Sequence, residues 1–290
     1  NPAGRFERLD TAADAEAWEA LRVAGEVDET LQLQTKVFRD TSRSIISTND
    51  SPDVGMQASV NPYRGEHGCI YCFARPTHEY LGLSAGLDFE TQIFAKPDAP
   101  ALLEAKLRSP SWQPQTVTLS GVTDCYQPLE RKLRLTRACL EVLRDFRNPA
   151  TIITKNFLVT RDMDVFKEMA AQQTIFVALS VTTLDTGLAR AMEPRASQPA
   201  LRLRAIEMLA KEKIPVGVMV GPVLPGLTEH EIPAILKAVA AAGAMTAHYT
   251  MLRLPYGVKD LFQTWLKEHF PDRAEKVLNR LRDMRGGTLY

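Results

Sequence analysis

Two cysteines separated by two residues, Cys69 and Cys72, are the side chains whose types and spacing point most directly to chemistry. That spacing lets both sulfurs face one centre, so the pair can bind a metal ion or cluster, and it equally suits a redox couple. They lie in Asn61-Pro-Tyr-Arg-Gly-Glu-His-Gly-Cys-Ile-Tyr-Cys-Phe-Ala-Arg75, directly after a strand candidate. The Gly and Pro breakers predict a loop able to wrap backbone amides around a bound group. With four Cys in 290 residues, a disulfide framework would be thin, and metal or redox chemistry is the better reading. On spacing alone, half a zinc site, a redox pair and a cluster loop all stay open.

The wider stretch resembles the cluster loop of radical S-adenosylmethionine (SAM) enzymes, Cys-x-x-x-Cys-x-aromatic-Cys. It is most similar to the branch related to spore photoproduct lyase, which reads Asn-Pro-Tyr-x-Gly-Cys-x-His-Gly-Cys-x-Tyr-Cys-Tyr/Phe-Ala-Arg. Cys69 and Cys72 match the second and third cluster cysteines and Tyr71 the aromatic beside the adenine. Asn61, Pro62, Tyr63, Gly65, His67, Gly68, Ala74 and Arg75 match the rest. The first cysteine is absent, because Gly65 is followed directly by Glu66. Both flanks match once one residue is inserted, so the difference is a single-residue deletion rather than a substitution. Either the natural chain carries a cysteine between Gly65 and Glu66 that this sequence omits, or the chain has lost a ligand. Neither His67 nor Glu66 is an obvious replacement.

Further similarities follow in order. Leu119-Ser-Gly-Val-Thr-Asp-Cys-Tyr-Gln-Pro128 corresponds to the strand end that holds the methionine amino group of SAM in the family, with Thr123 and Asp124 as the contacts. An ammonium is well matched by a carboxylate acceptor. The resemblance implies Lys155 for the cofactor carboxylate, Ser180 for the carboxylate or ribose, and Arg195, in Glu193-Pro-Arg195, for a carboxylate of SAM or substrate. Val218 to Glu229 resembles the Gly-rich strand that backs the adenine, so the similarity covers about Pro62 to Leu254. Cys125, one residue after Asp124, is a candidate hydrogen donor or radical relay. In lyases of the spore photoproduct type the corresponding cysteine stands before the matching Asp, where this chain has Val122.

Each of these residues also has a plainer reading. Asp124 suits a helix cap, Lys155 and Arg195 suit solvated element ends, and Ser180 suits any strand. Cys125 and Cys139 suit packed thiols, and His78, His230 and His269 suit surface or interface positions.

The resemblance implies a [4Fe-4S] cluster and SAM as cofactors, reductive cleavage of SAM to a 5′-deoxyadenosyl radical, and an external electron donor of flavodoxin or ferredoxin type. The substrate is open among small molecule, peptide and nucleic acid. A nucleic-acid lesion repair lyase is one alternative, for which Arg131, Lys132, Arg134 and Arg137 would supply basic charge. A cluster-free, inactive binding protein on the same fold is the other.

These residues need a scaffold of ordinary soluble type. Lys plus Arg and Asp plus Glu number 35 each, and 45% of residues are apolar. Zero formal net charge argues against coating nucleic acid by bulk electrostatics. The longest apolar stretch, Ile214 to Leu227, is broken by Pro215, Pro222 and Pro225, so no membrane span is expected. No secretory signal is visible, and a cytoplasmic location is expected.

From Val54 onward, short β-branched runs alternate with segments of helical period. Strands are expected at Gln57–Asn61, Phe89–Ala95, Thr116–Gly121, Ala150–Lys155, Ile175–Thr182, Val216–Val223 and His248–Leu254. Helices are expected at Pro100–Arg108, Leu129–Phe146, Asp162–Ala171, Pro199–Glu212 and Glu229–Ala242. Strands separated by single helices pair in parallel through right-handed crossovers. The expected fold is therefore α/β, a partial (β/α)6-type open TIM barrel with function at the C-terminal strand ends, a doubly wound sheet being the competitor. Residues 1–53 read as an extension with a helix at Thr11–Val23, 54–257 as the barrel, and 258–290 as a pair of helices split at Pro271.

Overall fold

All but one of the predicted strand runs become strands of one large sheet, and the helical segments pack their apolar faces against it. The computed structural model describes residues 6–10, 35–48, 56–66 and 68–289. In chain order the elements are β1 (Phe6–Asp10), β2 (Lys36–Asp40), β3 (Ile46–Thr48), β4 (Ala58–Val60), β5 (Tyr63–Arg64), α1 (Leu87–Thr91), β6 (Gln92–Ala95) and α2 (Ala99–Arg108). There follow β7 (Val117–Leu119), α3 (Glu130–Leu133), α4 (Leu135–Asp145), β8 (Ala150–Thr154), α5 (Met163–Ala171), β9 (Ile175–Ser180), α6 (Thr186–Met192) and α7 (Pro199–Lys211). The chain ends with β10 (Val216–Val223), α8 (Ile232–Ala241), β11 (Thr246–Met251), α9 (Val258–His269) and α10 (Pro271–Met284).

The large sheet has the order β11-β10-β9-β8-β7-β4-β3. From β4 to β11 every pairing is parallel, and β3 joins β4 antiparallel at one edge. Six parallel strands in one open sheet give the expected partial barrel. Its core is continuous: Val117, Leu119, Ile152, Val177 and Leu179 of the strands meet Leu140 and Leu143 of α4, Phe166 of α5 and Ile206 of α7. Burying one such aliphatic or aromatic side chain contributes roughly 1.5–3 kcal/mol. Because β-strand side chains alternate, the Ala150, Ile152 and Thr154 series faces inward while Thr151 and Ile153 are half-buried.

Three departures from the sequence expectations have physical causes. The Leu129–Phe146 helix is divided at Arg134, whose φ of 53° is left-handed and breaks the α-helical ladder. The Phe89–Ala95 strand candidate is half helix, and β6 leaves the barrel to join a small sheet of order β1-β2-β6-β5. That sheet ties residues 36–40 of the N-terminal segment parallel to β6, so the segment's described residues are built into both sheets. The predicted helix at Thr11–Val23 lies outside the described residues. At the other end α9 and α10 divide at Pro271 as expected, and their buried faces, including Val258, Phe262, Trp265, Val277 and Leu281, share an apolar cluster with Cys69, Tyr71 and Cys72.

Candidate functional site

The cysteine loop leaves the C-terminal end of β4 through Asn61, whose Oδ1 accepts the Val122 amide at 2.8 Å, binding the loop's start to the end of β7. Gly65 then turns with φ +84°, a conformation favourable to glycine. Cys69 and Cys72 follow, 2% and 6% exposed, in a tight turn closed by the Cys72 amide on the Cys69 carbonyl at 3.1 Å. Burial pushes both thiols well above the ordinary range, and for Cys72 the neighbouring Glu66 carboxylate adds to that. Cys72 Sγ donates to Glu66 Oε1 at 2.8 Å, and Glu66 Oε2 accepts the Asp124 amide at 2.6 Å. His67 lies outside the described residues.

Arg75 braces this turn from within. It is 1% exposed, and its guanidinium donates to the carbonyls of Cys69, Gly68, Ala85 and Gly86 at 2.9–3.0 Å and to Glu90 Oε1 at 2.6 Å. All five N–H groups of the fork are thereby accounted for. Glu90 bridges onward to Arg195, whose Nη2 lies 3.0 Å from Oε2. Gly68, with φ +82°, packs so closely that a Cβ there would lie 2.5 Å from the Glu90 carboxylate.

The second wall comes from the segment after α6. The Ile70 amide donates to the Met192 carbonyl at 3.0 Å, and the Tyr71 hydroxyl donates to Glu193. Glu193 also accepts Thr182 Oγ1 at 2.7 Å and pairs with the buried Arg202, which in turn donates to the Ser180 carbonyl at 3.1 Å. Burial alone would raise the Glu193 carboxyl, but Arg202 and Lys155 hold it down at about 2. Lys155 Nζ stands 5.8 Å from the Tyr71 ring centre. Burial works against its charge, yet Cys69 and Glu193 outweigh that and keep the ammonium above its ordinary value.

The residues singled out in the sequence thus divide. Cys69, Cys72, Tyr71 and Lys155 are brought together, with Ser180 joined to them through Arg202 and Glu193. Asp124 sits at the end of β7 as expected, but its carboxylate accepts Thr154 Oγ1 at 2.8 and 3.0 Å, the Tyr126 amide at 2.9 Å and the Lys155 amide at 2.8 Å. Thr123 Oγ1 donates to the Tyr63 carbonyl at 2.6 Å. Both residues therefore brace strand ends. Arg195 is held by Glu90 rather than standing as a solvated end. Cys125 is fully buried in the barrel core with Tyr126, Cys139 and Leu140, one residue after Asp124, whose amide donates to Glu66 beside Cys72. His78, expected at a surface or interface position, is fully buried between Phe89 and Phe94.

Within the basic cluster on α3 and α4, Arg137 is committed internally to Asp162, Asp164 and Glu141, while Lys132 and Arg134 are exposed. Sequence reasoning missed Arg75 as a brace, Glu90, Glu193 and Arg202. The only local signal was charge within otherwise apolar surroundings, as at Glu193-Pro-Arg195.

A [4Fe-4S] cluster takes three protein donors on separate irons when one iron must stay open to a substrate or cofactor. Two buried thiols with this spacing fit two of those positions. Among the described residues no three His, Cys, Asp or Glu side chains are arranged to hold a single metal ion, an arrangement that a cluster's dispersed irons do not require.

A six-stranded parallel partial barrel, with a buried cysteine turn at the end of its first parallel strand, is the architecture of the radical SAM superfamily. The family model for that superfamily matches residues 63–239, and the chain belongs to it. It is 38% identical over 221 residues to an uncharacterized protein of Mycobacterium tuberculosis (strain ATCC 25618 / H37Rv), covering 75% of this chain and 65% of that protein. The chain thus spans slightly less than two thirds of that relative's length. An uncharacterized protein of Methanocaldococcus jannaschii is 26% identical over 227 residues, 78% of this chain and 81% of its own. Among solved structures, spore photoproduct lyase complexed with dinucleoside spore photoproduct superposes with a TM-score of 0.59 at 14% identity, over 91% of this chain and 80% of that one. At that identity the likeness is one of fold.

Proposed function

We propose that this protein binds a [4Fe-4S] cluster through Cys69 and Cys72 and reductively cleaves SAM. The observation that carries the reading is the burial of both thiols beside Tyr71 and Lys155 at the C-terminal ends of β4 and β8, where this fold class places its chemistry. The chemistry supplied by the bound pair is one-electron cleavage of the sulfonium, which yields methionine and a 5′-deoxyadenosyl radical.

The chain's own residues position and shield. Tyr71, fixed by Glu193, offers an aromatic face for the adenine, and the Lys155 ammonium is the cation for the SAM carboxylate. Ser180 contributes from the end of β9, while Asp124 ties the β7 end to the β8 end and Thr123 ties it to Tyr63 of β5. The apolar faces of α9 and α10 keep water from the cysteine turn. The electron comes from an external donor of flavodoxin or ferredoxin type, and the substrate is unassigned. Among the described residues no helix is long and apolar enough to cross a membrane.

The test is anaerobic reconstitution followed by low-temperature EPR of dithionite-reduced protein with and without SAM, with chromatography for 5′-deoxyadenosine. A cluster signal that changes on adding SAM, together with released 5′-deoxyadenosine, is expected. Iron-free, EPR-silent protein that leaves SAM intact would overturn the proposal and favour the cluster-free alternative.

A further inference from the structure

The amides of Val177 and Val181 donate to the carbonyls of Pro215 and Met219 at 3.0 Å. Backbone groups alternate in direction along a strand, so these odd-numbered positions of β10 face β9, and Val218 and Val220 face β11. Val218 is in register with Ala247 and Val220 with Tyr249, so the slanted parallel ladder is made by Thr246, His248 and Thr250 on β11. The amides and carbonyls of Ala247 and Tyr249 consequently point away from the sheet, on a strand exposed from Thr246 to Thr250 that holds no Asp, Glu, Lys or Arg. Beside this edge lies a groove of about 600 Å³, lined by Ala247, Tyr249, Leu236 of α8 and Met284 of α10. Tyr249, Leu236 and Met284 are 70%, 41% and 54% exposed. A protruding aromatic ring and a hollow beside a small residue thus stand two positions apart on one uncharged strand.

We propose that β11 pairs antiparallel with β11 of a second copy, about a two-fold axis through His248. A continuous sheet needs opposed residues to share a face, which matches odd positions with odd ones. The register centred on His248 sets Ala247 opposite the partner's Tyr249, and Tyr249 opposite the partner's Ala247. Both pairs exchange N–H···O bonds, using every outward amide and carbonyl of the two residues, and each sets a large ring across from a small side chain over the groove. A register centred on Tyr249 would oppose two tyrosines and would call on the Met251 carbonyl, which Arg285 already approaches at 3.4 Å. No like charges meet across the axis. Because ring and hollow belong to the same chain, the contact is isologous and closes at two subunits. It is independent of what the cysteine turn binds.

The experiment is sedimentation velocity of the protein across the micromolar range, with Tyr249→Lys and Ala247→Tyr, and oxidative cross-linking of His248→Cys and Tyr249→Cys. The wild type is expected to form a two-chain species. Tyr249→Lys and Ala247→Tyr should raise its dissociation constant roughly tenfold or more, with an unchanged circular-dichroism spectrum because both positions are exposed. Opposed residues of a non-hydrogen-bonded pair have Cα atoms about 4.5 Å apart, within reach of a disulfide, so His248→Cys should yield a covalent dimer. Tyr249→Cys should not, since in this register the two copies of that position stand more than about 7 Å apart. The four native cysteines are buried and do not compete. A single-chain mass across the whole range, or open-ended oligomers, would overturn the proposal. So would a dimer indifferent to both Tyr249→Lys and Ala247→Tyr, or one cross-linked as readily through Tyr249→Cys as through His248→Cys.

Discussion

Arg75 holds the cysteine turn by its backbone: its Nε donates to the Cys69 carbonyl at 2.9 Å while the same guanidinium pairs with Glu90 at 2.6 Å. A rigid planar fork is matched here to five separate acceptors, and a lysine has three donors on a point charge. Arg75→Lys should therefore leave carbonyls of Gly68, Cys69, Ala85 or Gly86 unpaired, at about 1–3 kcal/mol for each buried acceptor exposed in this way. Chemical denaturation should show a lower midpoint with an unchanged slope. A midpoint equal to wild type would mean that the loop holds its shape without the brace.

Glu193 links stability to acid. Its folded carboxyl lies at about 2 against an ordinary 4.5, so the fold favours the ionised form. That contribution is fully present above 4.5, and it declines as pH falls through the folded value near 2. Glu193→Gln should lose about 3–5 kcal/mol at neutral pH, because Arg202 is left as an uncompensated buried charge. The variant should also show a shallower acid dependence between pH 4.5 and 2. Parallel stability-versus-pH curves for the two proteins would refute this assignment.

The two cysteines should differ from the other two in what their loss removes. Cys69→Ser and Cys72→Ser are expected to abolish most iron uptake with little change in unfolding temperature of the iron-free protein. Cys125→Ala, in the barrel core, should cost about 1 kcal/mol in stability and leave iron content and the SAM-dependent EPR change intact. Loss of product formation in Cys125→Ala, with normal SAM cleavage, would instead mark Cys125 as a radical relay.

Asp124 gives a fourth test. Since its carboxylate joins the ends of β7 and β8 through Thr154 and the Lys155 amide, Asp124→Ala should reduce stability by about 2–4 kcal/mol, in keeping with the loss of several charge-assisted hydrogen bonds. Asp124→Asn should recover part of that. Weakened SAM binding at full stability would show that the side chain reaches the cofactor directly.

The parallel strands were legible in the sequence because each is a short β-branched run bounded by breakers, as Thr151-Ile-Ile-Thr and Val216-Gly-Val-Met-Val are. The small sheet was not, since β2 pairs with β6 more than fifty residues on and nothing in either segment names the other. The short α6 escaped notice because seven residues, Thr186–Met192, are too few to establish a helical period. The cysteine turn was readable because its residues are adjacent in the chain. Its braces were not, because Arg75, Glu90 and Arg195, like Tyr71, Glu193 and Arg202, acquire their meaning only when distant segments meet.

The seventh strand position leaves a different kind of mark on this molecule. Among the described residues no strand pairs with the outer side of β11, whose residues are exposed from Thr246 to Thr250, and it carries no Lys or Pro to discourage a neighbour. An unpaired strand edge is a template for aggregation. The open seam of a partial barrel therefore carries a colloidal liability in concentrated solution.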